Sequence, residues 1–257
     1  MSQAVEIGTV GRSASEASER RRRSVKSVIR PFLPTWLIRW VTDNRAAVRL
    51  RAILKGWLHR HQKHDEVYGD DYYEMIDSTT GKSAGIMAQS IVEHLQPETV
   101  IDLGCGPGNL LEELEALHVS ARGVEFAKAA LAFCRERGLD VLSIDFTDPE
   151  ALAEPLGRFD LAICTEVAIQ LPPEAAKNLI HYLCRHADTV LFSSPPCARE
   201  RLPKSPQTAQ YWVGEFAGQN FSLDEELSKL FQIQWREKGT AAWFHREPMV
   251  FRRDDTA

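Results

Sequence analysis

The sequence predicts an α/β fold built on a doubly wound, mostly parallel sheet. Three observations predict it. From Tyr68 onward, short apolar runs alternate with helical stretches, the pattern of repeated strand–helix units. One run, Val100-Ile101-Asp102-Leu103, passes directly into a glycine turn at Gly104, Gly106 and Gly108, and the chain beyond reads as a helix from Asn109 to about Leu117. Three successive runs also end in or near an acid: Asp102, Glu125 and Asp145. In open α/β sheets ligands sit beyond the carboxyl ends of the strands, so acids placed there face the natural binding crevice.

The elements follow in order. Ser83 to Leu95 is an amphipathic helix ahead of the first strand. Strands are expected at about 99–104, 121–125, 140–145, 159–164 and 188–193, the first apolar enough to be covered on both faces. A short strand at Asn220-Phe221-Ser222-Leu223 precedes a helix that starts from Asp224. Pro248 to Arg253 forms a terminal strand. The 257 residues can bury a full core, and one domain (68–257) with an N-terminal extension is the natural count.

The spacing of the turn narrows its ligand. A dinucleotide fingerprint reads G-x-G-x-x-G, whereas this chain reads G-x-G-x-G. Glycines let backbone approach a ligand without Cβ atoms in the way. The following helix aims its N-terminal amides at the turn, which favours a carboxylate. Asp102, two residues before the first glycine, would welcome an ammonium group and repel a pyrophosphate. A ligand carrying both an ammonium and a carboxylate fits, and the methionine part of S-adenosylmethionine carries both.

At Asp102 to Gly108 the sequence resembles the first motif, D/E-x-G-x-G-x-G, of the class I S-adenosylmethionine-dependent methyltransferases. That resemblance implies a seven-stranded Rossmann-like sheet whose last strand inserts antiparallel between the fifth and sixth. It implies S-adenosylmethionine as cofactor. Glu125 lies 21 residues after Gly104, where such folds place an acid on the ribose hydroxyls. The resemblance places Asp145 on the adenine amino group and Phe146 against the adenine ring. Phe159 to Val167 is similar to the family's fourth-strand motif, which puts Thr165 and Glu166 at the transferred methyl group, while Asp160 begins the strand and is structural. The cofactor-binding set is therefore Asp102, Gly104, Gly106, Gly108, Glu125, Asp145, Phe146 and Thr165.

Methyl transfer is a displacement at carbon with a good leaving group, so alignment and exclusion of water dominate. An alcohol or phenol acceptor also gains from a general base, most often histidine. Many small-molecule O-methyltransferases of this type read Glu-Val-x-Glu-His-x-Pro after the fourth strand. This chain reads Glu166-Val167-Ala168-Ile169-Gln170-Leu171-Pro172, with Gln170 in the histidine position. Val190 to Pro196, with the later Tyr211-Trp212, resembles a bacterial subgroup associated with sugar or cell-surface glycan modification. The histidine usual there is missing as well, and Arg199, Arg201 and Lys204 make the loop basic, which suits an anionic acceptor. Catalytic candidates are Tyr72, Tyr73 and Glu166, with His64, His181, His186 and His245 as weaker bases. The expected function is methyl transfer to a small-molecule, sugar or lipid-linked acceptor, most simply O-methylation in secondary or cell-surface biosynthesis. A cofactor-binding partner without turnover is the alternative, supported by the two missing histidines. A nicotinamide-dependent dehydrogenase is disfavoured by the glycine spacing.

Composition bounds the remainder. Five cysteines are scattered without metal-ligand spacing, which argues for a reducing compartment and against a zinc site or disulfide framework. The net charge of −5 hides an asymmetry: residues 20–64 hold 13 Lys/Arg and one acid, so the remainder is strongly acidic. Residues 1–30 are expected to be a disordered basic tail, with no clean apolar segment for export. Residues 31–67 are expected to be helical, with Leu50, Ile53, Leu54, Trp57 and Leu58 on one stripe. Two readings of that extension stay open: a peripheral contact with anionic lipid, or a helix packed on the core as part of a lid. Nucleic acid is the weaker partner, because no recognised binding motif accompanies the basic run. The expected location is cytoplasmic, peripheral to the membrane if the lipid reading holds. Oligomeric state has no signal.

Overall fold

The computed structural model describes residues 68–194 and 207–255. The expectations for the basic tail, the helical extension, His64 and the basic loop at 197–206 lie outside the described residues.

The described chain runs α1 (Asp70–Leu95), β1 (Thr99–Leu103), α2 (Asn109–Ala116), β2 (Ser120–Glu125), α3 (Lys128–Glu136), β3 (Val141–Ser143) and β4 (Leu161–Thr165). A 3-10 turn (Ala168–Gln170) follows, then α4 (Pro173–His186), β5 (Thr189–Ser193), α5 (Ala209–Ala217), β6 (Phe221–Asp224), α6 (Glu225–Lys238), α7 (Ala242–Arg246) and β7 (Met249–Arg253). The seven strands lie in the order β3-β2-β1-β4-β5-β7-β6. β7 runs antiparallel to both neighbours, and every other pairing is parallel. The last strand thus inserts between the fifth and sixth, as the family resemblance implies.

Strand side chains alternate between two apolar layers. Val100, Leu161, Ile163, Leu191 and Val250 pack toward residues of α1, α2 and α6, including Ile91, Leu111 and Trp235. Ile101, Leu103, Ala162, Cys164 and Phe192 pack toward α4 and α5, including Leu179, Trp212 and Phe216. Covering on both faces explains why these strands read as continuous apolar runs. Asp160 secures the opposite end of the sheet: its carboxylate accepts from Thr99 N at 2.8 Å, Glu98 N at 3.0 Å and the Thr99 hydroxyl at 2.9 Å. Those bonds hold its carboxyl below the ordinary value, which fits a structural role.

Two elements depart from the sequence expectation. The first helix begins at Asp70 and not at Ser83. Its early turns contain Ser78, Thr79, Thr80 and Gly81, weak helix formers that mask the periodicity. The hydroxyls of Ser78, Thr79 and Thr80 bond back to the carbonyls of Met75 and Ile76, and burial of Tyr73, Thr80 and Ser83 adds tertiary support. Asp70 and Asp71 in the first turn complement the helix dipole. The third strand is confined to Val141–Ser143, so Asp145 and Phe146 lie in the loop beyond it. It is an edge strand with one partner, which leaves nothing to extend its pairing.

Candidate functional site

The glycine turn leaves the tip of β1 with all three glycines in the left-handed region: Gly104 at φ +85°, Gly106 at +57° and Gly108 at +88°. Space enforces two of them as well. A Cβ at Gly104 would stand 2.2 Å from Val167 Cγ2, and one at Gly108 would stand 2.4 Å from Leu139 Cδ1. The turn is tied to β2 by Gly104 N donating to Val124 O at 2.7 Å, and closed on itself by Gly108 N donating to Cys105 O at 3.1 Å. Gly108 is the N-cap of α2, so that helix starts at the turn as expected.

Asp102 and Glu125 project from neighbouring strands on one face of the sheet. Asp102 is only 4% exposed, and among the described residues its carboxylate accepts no hydrogen bond. Burial, and then the charge of Glu125, pushes its pKa up to about 7. Glu125 is also buried but well partnered. Its Oε2 accepts from Gly106 N at 3.0 Å, and its Oε1 accepts from Phe126 N at 2.6 Å and Ala127 N at 2.8 Å. Burial raises its carboxyl, and those backbone donors work against the rise. An ionised carboxylate offers about four acceptor sites, so Glu125 keeps capacity for a further donor.

Tyr72 and Tyr73 lie on the first turn of α1, which carries them to the glycine turn. Tyr73 Cε1 lies 4.0 Å from where a Cβ of Gly106 would stand. Burial, then the nearby Glu125 charge, drives the Tyr73 phenol far above its ordinary range. Tyr68, Tyr72 and Tyr73 form an edge-to-face chain with centroids 5.0 and 5.1 Å apart. Phe126, beside Glu125, is a large apolar side chain left 38% exposed, and sequence reasoning missed it.

The third acid stands differently. Asp145 Oδ1 accepts from Thr147 N at 2.8 Å and the Thr147 hydroxyl at 2.7 Å, which caps its own loop. The preceding residue bonds to this site, Ile144 N donating to Glu125 O at 3.2 Å. Phe146 is buried in the core layer that contains Leu152 and Leu179. The structure therefore joins Asp102, Glu125, the glycines and Tyr73 directly, and links Asp145 to them through backbone.

A second polar group occupies the tips of β4 and β5. Thr165 is half-buried, and Glu166 after it takes φ +62°, a strained position for a glutamate. Glu166 N donates to Ser193 O at 2.9 Å, and the Ser193 hydroxyl donates to Glu166 Oε1 at 3.0 Å. Gln170 Nε2 donates to Glu166 O at 2.8 Å, so the amide in the histidine position supports the Glu166 backbone. Ser194 is buried next to Ser193, with no hydrogen-bond partner for its hydroxyl among the described residues. The serines carried no sequence signal, because small polar residues after a strand read as loop. His181 bonds to Gln219, His186 to the Gly157 carbonyl and His245 to Thr240, so none of these three is engaged with either group.

Residues 100–188 match the family model described as a methyltransferase domain. Over 107 residues the chain is 34% identical to the ubiquinone biosynthesis O-methyltransferase of Paraburkholderia xenovorans, a match covering 39% of this chain and 46% of that one. Matches to the curated relatives span less than half of their length. The fold is similar to that of the CcbJ methyltransferase from Streptomyces caelestis, at TM-score 0.55 and 14% identity over 73% of this chain and 98% of that one. It is similar also to magnesium protoporphyrin IX methyltransferase from Synechocystis with bound SAH, at TM-score 0.50 and 16% identity over 82% of this chain and 100% of that one.

Proposed function

We propose that the chain is a class I S-adenosylmethionine-dependent methyltransferase, a reading supported by its match to a methyltransferase domain over residues 100–188, and that it transfers the methyl group of S-adenosylmethionine to an oxygen of a small acceptor. The observation that carries the reading is Asp102: a buried carboxylate at the glycine turn that accepts no hydrogen bond among the described residues. A buried charge requires a partner, and a cationic ligand supplies one. The residues fit this cofactor on further grounds. At Gly106 only Tyr73, at 4.0 Å, comes near where a Cβ would stand, α2 begins at the turn, and Glu125 retains acceptor capacity for one further hydroxyl. In this reading Asp102 holds the ammonium, the turn amides face the carboxylate and Glu125 holds the ribose. When bound, the cofactor supplies an electrophilic methyl on a sulfonium.

The chain's own residues supply orientation and a proton acceptor. Tyr73 and its aromatic neighbours cover the turn against water. Glu166 is the best placed carboxylate at the β4 tip to take a proton from an acceptor hydroxyl, with Ser193 orienting one of its oxygens. The acceptor class is a small-molecule, sugar or lipid-linked alcohol. The relatives' names, which refer to ubiquinone biosynthesis, support a lipid-linked aromatic alcohol. The basic sequence around Arg199, Arg201 and Lys204 supports an anionic group on it. Peripheral membrane contact through residues 20–64 would suit such an acceptor; no helix among the described residues is long and apolar enough to cross a membrane.

Calorimetry with S-adenosylmethionine, S-adenosylhomocysteine and NAD tests the cofactor, and release of S-adenosylhomocysteine in the presence of a cell extract tests transfer. Binding of NAD alone would sink the reading. Gln170 in place of a histidine favours a second reading, a cofactor-binding partner without turnover. Tight binding with no release on any extract would establish that one instead.

A further inference from the structure

Arg137, one residue past α3, sits where three segments meet at the back of the glycine turn. One guanidinium nitrogen donates to Pro107 O at 2.7 Å and also to Asn109 Oδ1. The other terminal nitrogen pairs with Asp77 of α1 at 2.5 Å, and Nε lies 3.5 Å from Glu112 of α2. Asn109, itself buried, donates from Nδ2 to Asp77 O at 3.0 Å and to the Thr80 hydroxyl at 2.8 Å. A single planar cation therefore ties α1, the turn, α2 and α3 together. Its fixed fork is suited to several acceptors at once.

What it holds is the ligand-facing geometry of the turn. Pro107 lies between two glycines at positive φ, a hinge with little intrinsic stiffness. The peptide between Pro107 and Gly108 is gripped at both ends, its carbonyl by Arg137 and its N–H by Cys105 O. The preceding carbonyl, Gly106 O, accepts from Cys134 Sγ at 3.3 Å, and Cys134 precedes Arg137 by three positions in the α3 segment. Two successive carbonyls are thus turned toward α3, which commits the other side of the turn to the ligand.

We propose that Arg137 is a positioning residue for the amino-acid end of the cofactor, acting through the Pro107–Gly108 peptide and the start of α2. The inference rests on the cofactor reading above. It separates two halves of one ligand, because the Glu125 end is also fastened outside the turn, by Phe126 N and Ala127 N.

The test compares S-adenosylmethionine with 5′-methylthioadenosine, which has the nucleoside but no amino-acid group, by calorimetry on the full chain. Arg137→Ala should weaken S-adenosylmethionine about ten- to a hundredfold, the scale of lost charged hydrogen bonds, and leave methylthioadenosine within about twofold. Arg137→Lys should restore only part of the loss, since a point charge cannot span the same acceptors. Arg122→Ala, which removes the exposed pair with Asp140, should alter neither ligand. If Arg137→Ala does not fold, Asp77→Asn should show the same selectivity at a few-fold loss. Equal losses for both ligands, or unchanged S-adenosylmethionine affinity, would overturn the proposal. A wild-type chain that binds methylthioadenosine tightly but not S-adenosylmethionine would overturn it too. Wild type binding neither ligand would overturn the cofactor reading itself, and this inference with it.

Discussion

The tips of β1 and β2 and the tips of β4 and β5 solve opposite problems with the same residue types. At the first pair, Glu125 accepts from three backbone donors while Asp102 is buried and accepts none among the described residues. At the second, Glu166 is bound to its neighbours through Ser193 and Gln170 and carries its strain in the backbone. Burial without a donor stores a demand for a cation, which is what a binding site needs. A carboxylate oriented by a hydroxyl at a strained corner is arranged to handle a proton, which is what a transfer site needs. On the proposed reading, the difference teaches that binding and chemistry separate along this sheet edge and can be broken separately.

The largest expected effect lies at the binding end. Asp102→Asn should weaken S-adenosylmethionine about 10- to 150-fold by calorimetry, the loss of a charged hydrogen bond with its ion partner. The same variant should be more stable than wild type without ligand at pH 8. The sign follows from the raised pKa: from an ordinary 3.8 to about 7, the folded chain holds a proton that the unfolded chain has released. Wild-type stability should therefore fall as pH rises from about 4 to about 7, and the variant should escape that fall by on the order of several degrees in Tm. Coincident melting curves at pH 8 would break the contrast. Glu125→Gln should behave in the opposite sense, since its amide places a donor against backbone N–H groups. It should lose roughly 1–3 kcal/mol of stability along with about tenfold in affinity. Two acids on adjoining strands would then move stability in opposite directions.

That contrast also marks what the sequence could convey. The alternation of strands and helices and the acids at strand tips were legible because apolar runs, glycine spacing and local offsets carry them, whereas the antiparallel last strand came only from the family resemblance. The start of α1 was not, since Ser78, Thr79, Thr80 and Gly81 are poor helix formers held by packing and by bonds to earlier carbonyls. Nor was Arg137, whose partners Asp77 and Pro107 stand 60 and 30 positions away. The unequal state of Asp102 and Glu125 was equally invisible, because it depends on which backbone N–H groups the turn after β2 delivers. Gln170 was read from sequence as a missing base, and its structural use, supporting the carbonyl of Glu166, needed the fold.

A smaller effect is expected at the transfer end, in rate and not in affinity. Glu166→Gln should reduce S-adenosylhomocysteine release at least about tenfold, the lower scale of general-base loss, with cofactor affinity changed less than about twofold. Ser193→Ala, which frees one oxygen of Glu166 from its orienting hydroxyl, should lose a smaller factor in the same parameter. A parallel loss of affinity and rate in Glu166→Gln would merge the two tips into one function.

Tyr73 gives the smallest effect and bears on whether the binding end contributes any proton chemistry. Its phenol is held protonated far beyond neutral pH by burial and by the charge of Glu125, so no phenolate is available as a base. Its ring is what lies over Gly106 and packs with Ala127 and Ala130. Tyr73→Phe retains that ring, and should change cofactor affinity and transfer rate by less than about threefold, with the pH–rate profile unmoved. Tyr73→Ala removes the cover and should cost more in affinity than in rate at saturating cofactor. A Tyr73→Phe chain that binds normally but turns over far more slowly, with a basic limb lost from its pH profile, would place a proton carrier at the glycine turn. The division between the two tips would then have to be redrawn.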